Sequence, residues 1–229
     1  MDTVRSIFQH GWHSIKLYFM IGLPQETMAD VQGIVDLSRA ILDEGRRIVG
    51  GRARIHVGVS TFIPKPHTPF QWVPFEAPES IQAKLDLLHA GFHGAKIKMT
   101  WNNPDASLLE AWLARGDRRI ADVIYHAWRS GARFDAWREH FNLALWEAAF
   151  TRAGLDPDFY STRQRELAET LPWEHINAGI HKSFLMQDYQ WSLEGKTRPD
   201  CRQKCYACGI LANFRELRLA APDGGWKCP

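Results

Sequence analysis

The sequence predicts an α/β fold built on three parallel strands. Three apolar segments have the character of buried strands, at 14–21, 54–62 and 95–101, and helical periodicity fills the stretches between them. A strand–helix–strand order with crossovers of this length is typical of parallel pairing. The composition fits one hydrophobic core with an appendage, since the chain has 229 residues, 45% of them hydrophobic and 24% charged.

The two crossover segments carry recognisable helix boundaries. The run from Thr27 to Asp30 resembles a capping box at the start of the first helix. Pro78 is placed to open the second helix, and we expect Gly91 and Gly94 to close it.

The segment before the first strand resembles the end of another repeat. Val4, Ile7 and Phe8 have the spacing of the last turns of a helix that leads through Gly11 into the strand. A three-stranded parallel sheet with two open edges is a poor fold by itself, because its edges and faces need cover. We therefore expect further strands, from an upstream part of the same protein or from a complementing chain.

A helical extension is predicted over 105–198, between a strand unit at 1–104 and a cysteine-rich tail at 199–229. Tryptophan and phenylalanine recur in it at three- and four-residue spacing, which we interpret as packing positions. These aromatic residues are Trp112, Trp128, Phe134, Trp137, Phe141, Trp146 and Phe150. A further helix is predicted through Phe184 and Leu193.

Charge and hydropathy disfavour a nucleic-acid surface and a membrane span. The chain has 28 Lys and Arg against 26 Asp and Glu, without a run of like charges. A local basic group at Arg115, Arg118 and Arg119 is expected to be a solvated helix end. The apolar stretch 17–24 is too short to cross a bilayer and has no signal cleavage site, so we expect a cytoplasmic protein.

Three cysteines stand at C-x3-C-x2-C spacing near the C-terminus. In a reducing compartment Cys201, Cys205 and Cys208 are better interpreted as metal ligands than as disulfide partners. One interpretation is a four-iron four-sulfur cluster, with Cys228 as fourth ligand or with an open iron. The other is zinc, held by the same four thiolates or with His181 as a distant ligand. Zinc prefers paired C-x2-C units and only one is present, which favours iron–sulfur.

The loops that follow the predicted strands are the places to look for a ligand site, because ligands collect at the carboxyl ends of parallel strands. The first loop, 22–27, is by itself best interpreted as a plain strand-to-helix turn, although the free N–H groups of the helix that follows could hold an anionic or carboxylate group. The second, 61–72, has three prolines in six residues, which should fix Lys65 and His67 in place. The third contains Asp105, which we interpret as a helix cap. The first loop has no G-x-G-x-x-G and no phosphate-loop lysine, which disfavours nucleotide binding there.

These segments resemble a known superfamily. Residues 15–27 are similar to the fourth strand and following turn of radical S-adenosylmethionine enzymes, and 59–70 to their fifth strand and Pro-rich loop. The run 200–209, preceded by 115–119 and 131–135, resembles the group that carries an N-terminal cobalamin-binding domain and has mostly unassigned substrates. The resemblance extends over nearly the whole chain.

The resemblance implies the C-terminal half of a partial (β/α)6 barrel, followed by a helical extension and a Cys-rich loop. In such enzymes a four-iron four-sulfur cluster, bound after the first strand, reduces S-adenosylmethionine to a 5′-deoxyadenosyl radical. This chain has no cysteine before Cys201. By the resemblance it lacks the cluster loop and the cobalamin domain, and we expect it to be inactive alone.

The resemblance also assigns one wall of a cofactor pocket to this chain. The expected contacts to S-adenosylmethionine are Gly22, Pro24, Glu26, Ser60 and Thr61, and the expected contacts to substrate are Lys65 and His67. Cobalamin is an expected cofactor of the full-length protein. The competing hypothesis is a non-catalytic, zinc-stabilised α/β module that binds a partner, and bound metal would distinguish the two.

Overall fold

The computed structural model describes residues 1–221, and its central feature is a three-stranded parallel sheet. The strands are β1 (Ser14–Ile21), β2 (Arg54–Thr61) and β3 (Ile97–Trp101), in the order β1-β2-β3. Both pairings are parallel, which confirms the predicted mixed α/β fold with three parallel strands. Cys228 lies outside the described residues.

Helices connect and extend the sheet. In chain order they are α1 (Asp2–Gln9), α2 (Met28–Val49), α3 (Pro78–Phe92), α4 (Pro104–Ala114), α5 (Ile120–Arg129), α6 (Leu143–Ala153), α7 (Pro157–Tyr160), α8 (Lys182–Leu193), α9 (Ile210–Asn213) and α10 (Arg215–Ala220). In residues 1–221 no helix is long and apolar enough to cross a membrane.

The predicted capping box opens α2. The Thr27 side chain accepts a hydrogen bond from the Asp30 backbone N–H at 3.3 Å, and the Asp30 carboxylate accepts one from the Thr27 N–H at 2.8 Å. Each side chain thus satisfies a backbone N–H that the first helical turn leaves free.

One of the two predicted helix ends is wrong. Gly91 lies inside α3, which continues to Phe92, and Gly94 follows the helix with a φ of +73°. A Cβ at Gly91 would come within 2.6 Å of Val35 Cγ2 on α2. Gly91 therefore allows the two crossover helices to approach each other.

The residue that caps the start of α4 also differs from the prediction. Asn103, and not Asp105, caps α4, because the Asn103 side chain accepts a hydrogen bond from the Asp105 N–H at 2.9 Å. Asp105 falls in the first helical turn, where its negative charge is favourable.

The two faces of the sheet differ sharply. One face forms a hydrophobic core with α1, α2 and α3, and includes Ile15, Ile55, Val57, Val59 and Ile97. The opposite face presents the alternate residues, which the structure leaves exposed or half-buried: Lys16, Tyr18, Met20, His56, Gly58, Ser60, Lys98 and Thr100. None of these residues belongs to that core.

The helical extension buries some of its aromatic residues and exposes others. Trp112, Trp146 and Phe150 lie in a second core, as predicted. Trp128, Phe134 and Trp137 are 49%, 67% and 56% exposed, so their interpretation as packing positions is wrong. The last two precede α6, in turns where Phe134 takes a φ of +60°, and a turn lacks the helical period that the prediction assumed.

The prediction that Arg115, Arg118 and Arg119 form a solvated helix end is wrong for Arg115. Arg115 follows the last residue of α4 and is fully buried, whereas Arg118 and Arg119 are exposed. The fold packs the Tyr160 segment over it, and Arg115 Nε donates to the Tyr160 carbonyl at 2.9 Å.

Candidate functional site

The loops after β1 and β2 start side by side. Ile21 is the register partner of Thr61, and the Phe62 N–H donates to the Ile21 carbonyl at 2.8 Å just beyond the strands. The carboxyl ends of the two strands therefore meet at one edge of the sheet, where the sequence placed the candidate site.

Glycine is required where the first loop begins. Gly22 has a φ of +86°, in the left-handed region that side chains disfavour. A Cβ there would lie 2.9 Å from Ile81 Cδ1 and 3.1 Å from Glu76 Oε2, both belonging to the segment around the start of α3. The Gly22 N–H donates to Glu26 Oε1 at 3.0 Å, so this turn is closed by its own side chain.

Glu26 is part of a buried ionic cluster. Lys84 Nζ of α3 lies 2.7 Å from Glu26 Oε1 and 2.7 Å from Glu76 Oε1. The Lys84 and Glu26 side chains are only 3% and 7% exposed, and Ser80 Oγ donates to Glu76 at 2.6 Å. Glu26 thus has a structural partner within the chain, and its contact with a cofactor stays a prediction.

The electrostatics of this cluster favour the charged lysine. Burial by itself would lower the pKa of Lys84, but its hydrogen bonds to Glu26 and Glu76 outweigh that effect and raise it. The ammonium of Lys84 thus binds two carboxylates next to the first loop. Its ion pair holds Glu26 in place, and Glu26 in turn holds the Gly22 turn through its hydrogen bond.

Ser60 and Thr61 lie on opposite faces of the sheet. Ser60 is on the open face, half-buried, and its hydroxyl donates to the Phe19 carbonyl at 3.3 Å. Thr61 is 8% exposed and lies on the helix-covered face. Of these two residues, only Ser60 could contact a ligand that lies on the open face. The sequence analysis grouped the two residues together and did not predict this difference.

Pro24 lies beside the outer edge of β1. It lines a shallow cavity of about 360 Å³ together with Met20, Leu23, Gln25 and Glu26. Gln25 has a φ of +64°, so the loop turns sharply at this point. The cavity is open to solvent and adjoins the edge of β1 that pairs with no strand in the described part of the chain.

The Pro-rich loop after β2 is folded, and its two predicted ligand residues have different neighbours. Lys65 Nζ forms an ion pair with Glu110 of α4. His67 has a φ of +57°, and its backbone N–H donates to Gln71 Oε1 at 3.1 Å. Gln71 is 3% exposed and also accepts from Trp173 Nε1 at 2.6 Å. Gln71 therefore anchors the loop, a role the sequence analysis missed because its partner is 102 residues away.

His67 lines a cavity of about 280 Å³ together with Trp173, His181 and Lys182, where Lys65 does not. The structure thus directs Lys65 toward α4 and His67 toward the start of α8. Their contacts with a substrate stay predictions.

The described cysteines are accessible but not gathered. Cys201 and Cys205 are exposed and Cys208 is half-buried. Within residues 1–221 no three His, Cys, Asp or Glu side chains are placed to hold a metal ion. The fourth predicted ligand, Cys228, lies outside the described residues, so the metal site stays a prediction. A metal would have to draw these thiols together, as binding coupled to folding does.

The cysteine loop is nevertheless anchored to the start of α8. The His181 N–H donates to the Cys208 carbonyl at 2.8 Å. Gly209 has a φ of +110°, and a Cβ there would lie 2.8 Å from the Gly179 carbonyl. The end of the loop is therefore fixed by backbone contacts that leave Cys201 and Cys205 free.

Comparison with known proteins identifies a relative without an assigned role. A protein of Methanocaldococcus jannaschii, itself named an uncharacterized protein, is 29% identical to this chain over 114 residues. The match covers 50% of this chain, but only 24% of the relative's length. No protein-family model and no solved structure matches the chain.

Proposed function

We propose that this chain is the C-terminal part of a radical S-adenosylmethionine enzyme, linked to cobalamin in the full-length protein and acting on a substrate of unassigned class. The observation that carries the proposal is the open sheet face that ends at two adjacent loops. A parallel sheet is normally covered on both faces, and a ligand site lies at the carboxyl ends of its strands.

The polarity of the open face supports this proposal. Ser60 and Thr100 place hydroxyl groups on it, and Tyr18 presents a ring that is 74% exposed. A face meant only for helix packing would carry aliphatic side chains, as the opposite face does. In this proposal the face is the interior wall of a barrel that further strands complete.

The first test is the nucleic acid upstream of the Met1 codon. An in-frame C-x3-C-x2-C following a strand pattern supports the proposal, because it would supply the cluster ligands. A stop codon followed by a genuine start site contradicts the single-chain form of the proposal and favours the zinc-stabilised binding module.

Binding of S-adenosylmethionine by the extended protein is the second test. Ser60→Val should weaken binding without loss of stability, because its side chain lies on the open face. Thr61→Val is the matched control, since it changes a neighbouring hydroxyl on the covered face. Equal loss of binding in the two variants would contradict the assignment of the open face.

The Pro-rich loop allows a similar paired test. Lys65→Ala and Glu110→Ala break the same ion pair. If Lys65 contacts the substrate, only Lys65→Ala should weaken substrate binding. Equal effects of both variants would give the pair a purely structural role.

The cysteine loop is tested by metal analysis of the protein purified without oxygen. Iron with acid-labile sulfide supports the iron–sulfur proposal, whereas stoichiometric zinc without sulfide supports the binding module. Cys205→Ser should remove the bound metal, because Cys205 is the middle thiol of the three. Unchanged metal content in Cys205→Ser would remove this loop from consideration as the metal site.

A further inference from the structure

Two arginines lie in the interior of the helical extension. Arg115 is fully buried and Arg165 is 2% exposed. Arg115 Nε donates to the Tyr160 carbonyl at 2.9 Å, and Arg165 Nη2 donates to the Arg115 carbonyl at 2.8 Å. The two guanidinium groups therefore belong to one buried cluster.

These guanidinium groups have more donors than acceptors. Within residues 1–221, Nη1 and Nη2 of Arg115 and Nε of Arg165 have no hydrogen-bond acceptor. No carboxylate of that part of the chain lies within ion-pair distance of Arg115 or Arg165. A buried cation without a counter-charge is unfavourable, because two hydrogen bonds to carbonyl groups do not replace the hydration that the guanidinium groups have lost.

The nearest carboxylates are engaged with other arginines. Glu169 forms two hydrogen bonds with Arg163, at 2.7 and 2.8 Å. Asp117 is bound by Arg119, with a shortest distance of 2.6 Å. Burial, followed by repulsion from Arg165 and Arg163, lowers the pKa of Arg115 to about 10. The cluster as a whole thus carries an excess of positive charge.

A cavity of about 740 Å³ lies beside this cluster. Its wall includes Ala114 and Gly116, the chain neighbours of Arg115, and Trp173, but neither Arg115 nor Arg165 itself. The Arg165 guanidinium carbon is 5.2 Å from the centre of that ring. The buried positive charge therefore lies behind residues of the cavity wall and acts on the cavity across them.

Arg118 adds an exposed cation at the cavity wall. Its side chain forms no ion pair within residues 1–221. The two carboxylates of the wall are both paired, Asp117 with Arg119 and Glu174 with Lys182. Low-dielectric walls strengthen the field of buried charges inside a cavity. Among the Asp, Glu, Lys and Arg side chains of this wall, Arg118 is the one without an ion-pair partner within residues 1–221.

We propose that this cavity binds an oxyanion, namely the phosphate, sulfate or carboxylate group of a ligand, next to Gly116 and Arg118 and in the field of Arg115 and Arg165. The bound anion provides the negative charge that these arginines lack among the described residues. The cavity borders the Pro-rich loop at Pro66, but the inference does not depend on the proposed radical chemistry.

Thermal unfolding of the 229-residue chain tests this inference, with inorganic phosphate, sulfate and acetate each compared with chloride at equal ionic strength. We expect Tm to rise and to saturate with at least one oxyanion, because a ligand that binds only the folded state stabilises it. The anion that raises Tm at the lowest concentration shows whether the cavity prefers phosphate-like or carboxylate groups.

Two variants and one control locate the effect. Arg118→Gln should weaken the apparent affinity about tenfold, the typical worth of one charge-assisted hydrogen bond. Arg165→Met should also weaken the apparent affinity, but by less than Arg118→Gln does, because Arg165 acts across the cavity wall and not by contact. Arg129→Gln is the control, because Arg129 is an exposed arginine of α5 that lies outside the cavity wall, and it should respond like the parent.

Two results would overturn the inference. One is a rise in Tm that never saturates and is equal in all variants, which is the behaviour of a general salt effect. The other is an Arg118→Gln protein with the affinity of the parent. Arg118→Gln decides the matter even if Arg165→Met does not fold, and neither result bears on the proposal for the strand loops.

Discussion

The strand unit and the helical extension both bury cationic side chains, but they treat the charge differently. In the strand unit, Lys84 is held between Glu26 and Glu76 at 2.7 Å from each. In the extension, Arg115 and Arg165 bond only to backbone carbonyls within the described residues. The pKa of Lys84 is raised by its partners, whereas that of Arg115 is lowered by burial and by neighbouring arginines.

The strand unit therefore supplies the counter-charges for its buried cation, whereas the described part of the helical extension does not. A buried ion pair is retained at modest net benefit, but an unpaired buried charge costs several kcal/mol. The Lys84 cluster therefore needs no external charge, and it fixes the Gly22 turn. The arginine cluster has no such compensation, so it is the cluster that a bound anion would stabilise.

Removing the lysine should have the largest effect. Lys84→Met leaves Glu26 and Glu76 facing each other without a cation, and we expect the free energy of unfolding to fall by about 3–5 kcal/mol. Urea denaturation at pH 7 measures it. Lys98→Met, at an exposed position, is the control and should change stability by less than about 0.5 kcal/mol.

A second change in the same cluster checks the cause. Glu26→Gln added to Lys84→Met removes one of the two uncompensated charges and should recover part of the loss. If the double variant is no more stable than Lys84→Met, the loss does not come from the buried carboxylate, and the contrast with Arg115 loses its basis.

A smaller effect is expected at the turn that the cluster supports. Gly22→Ala introduces a Cβ at a φ of +86° and toward Glu76, so it should cost about 1–2 kcal/mol. Gly33→Ala, in the exposed middle of α2 with no atom within 4 Å of the new Cβ, should instead stabilise by about 0.5–1 kcal/mol. We expect the change in the free energy of unfolding to have opposite signs in the two variants. A loss of stability in both variants would contradict this account of the turn.

The smallest effect concerns acid pH and the arginine cluster. The hydrogen bonds from Arg163 hold the pKa of Glu169 below its usual value. Glu169 thus contributes stability above that usual value, and this contribution is lost as pH falls through the lowered pKa. Because the pair is partly exposed, Glu169→Gln should lower the free energy of unfolding at pH 7 by about 0.5 kcal/mol.

Urea unfolding of the parent and of Glu169→Gln from pH 7 to pH 3 measures this difference. The two curves should converge as the parent carboxyl takes up a proton. A gap that persists at pH 3 would mean that the variant acts through packing and that Glu169 contributes no balancing charge.

Local patterns predicted much of the strand unit. The segments 14–21 and 54–62 became β1 and β2, and their apolar residues at every second position lie on one face of each strand. Thr27 and Asp30 formed the predicted box because capping involves only neighbours in the chain. The parallel direction of the strands followed from the crossover lengths.

The candidate site was predicted only in part. The sequence located the loops, but Glu26 turned out to bond to Lys84, a residue 58 positions further along the chain and supplied by another helix. Ser60 and Thr61 were grouped together, although adjacent strand residues point to opposite faces, and only the packing of α2 and α3 shows which face is covered.

By itself the sequence determined what depends on near neighbours: the strands, the first helix cap, the proline at the start of α3 and the cysteine spacing. The tertiary structure alone decided the burial of Arg115, the place of Gly91 against Val35, and the exposure of Trp128 and Trp137. The physical reason is that burial and charge compensation depend on which segments pack together. Those contacts join residues that are far apart in the chain, and no local period or spacing records them.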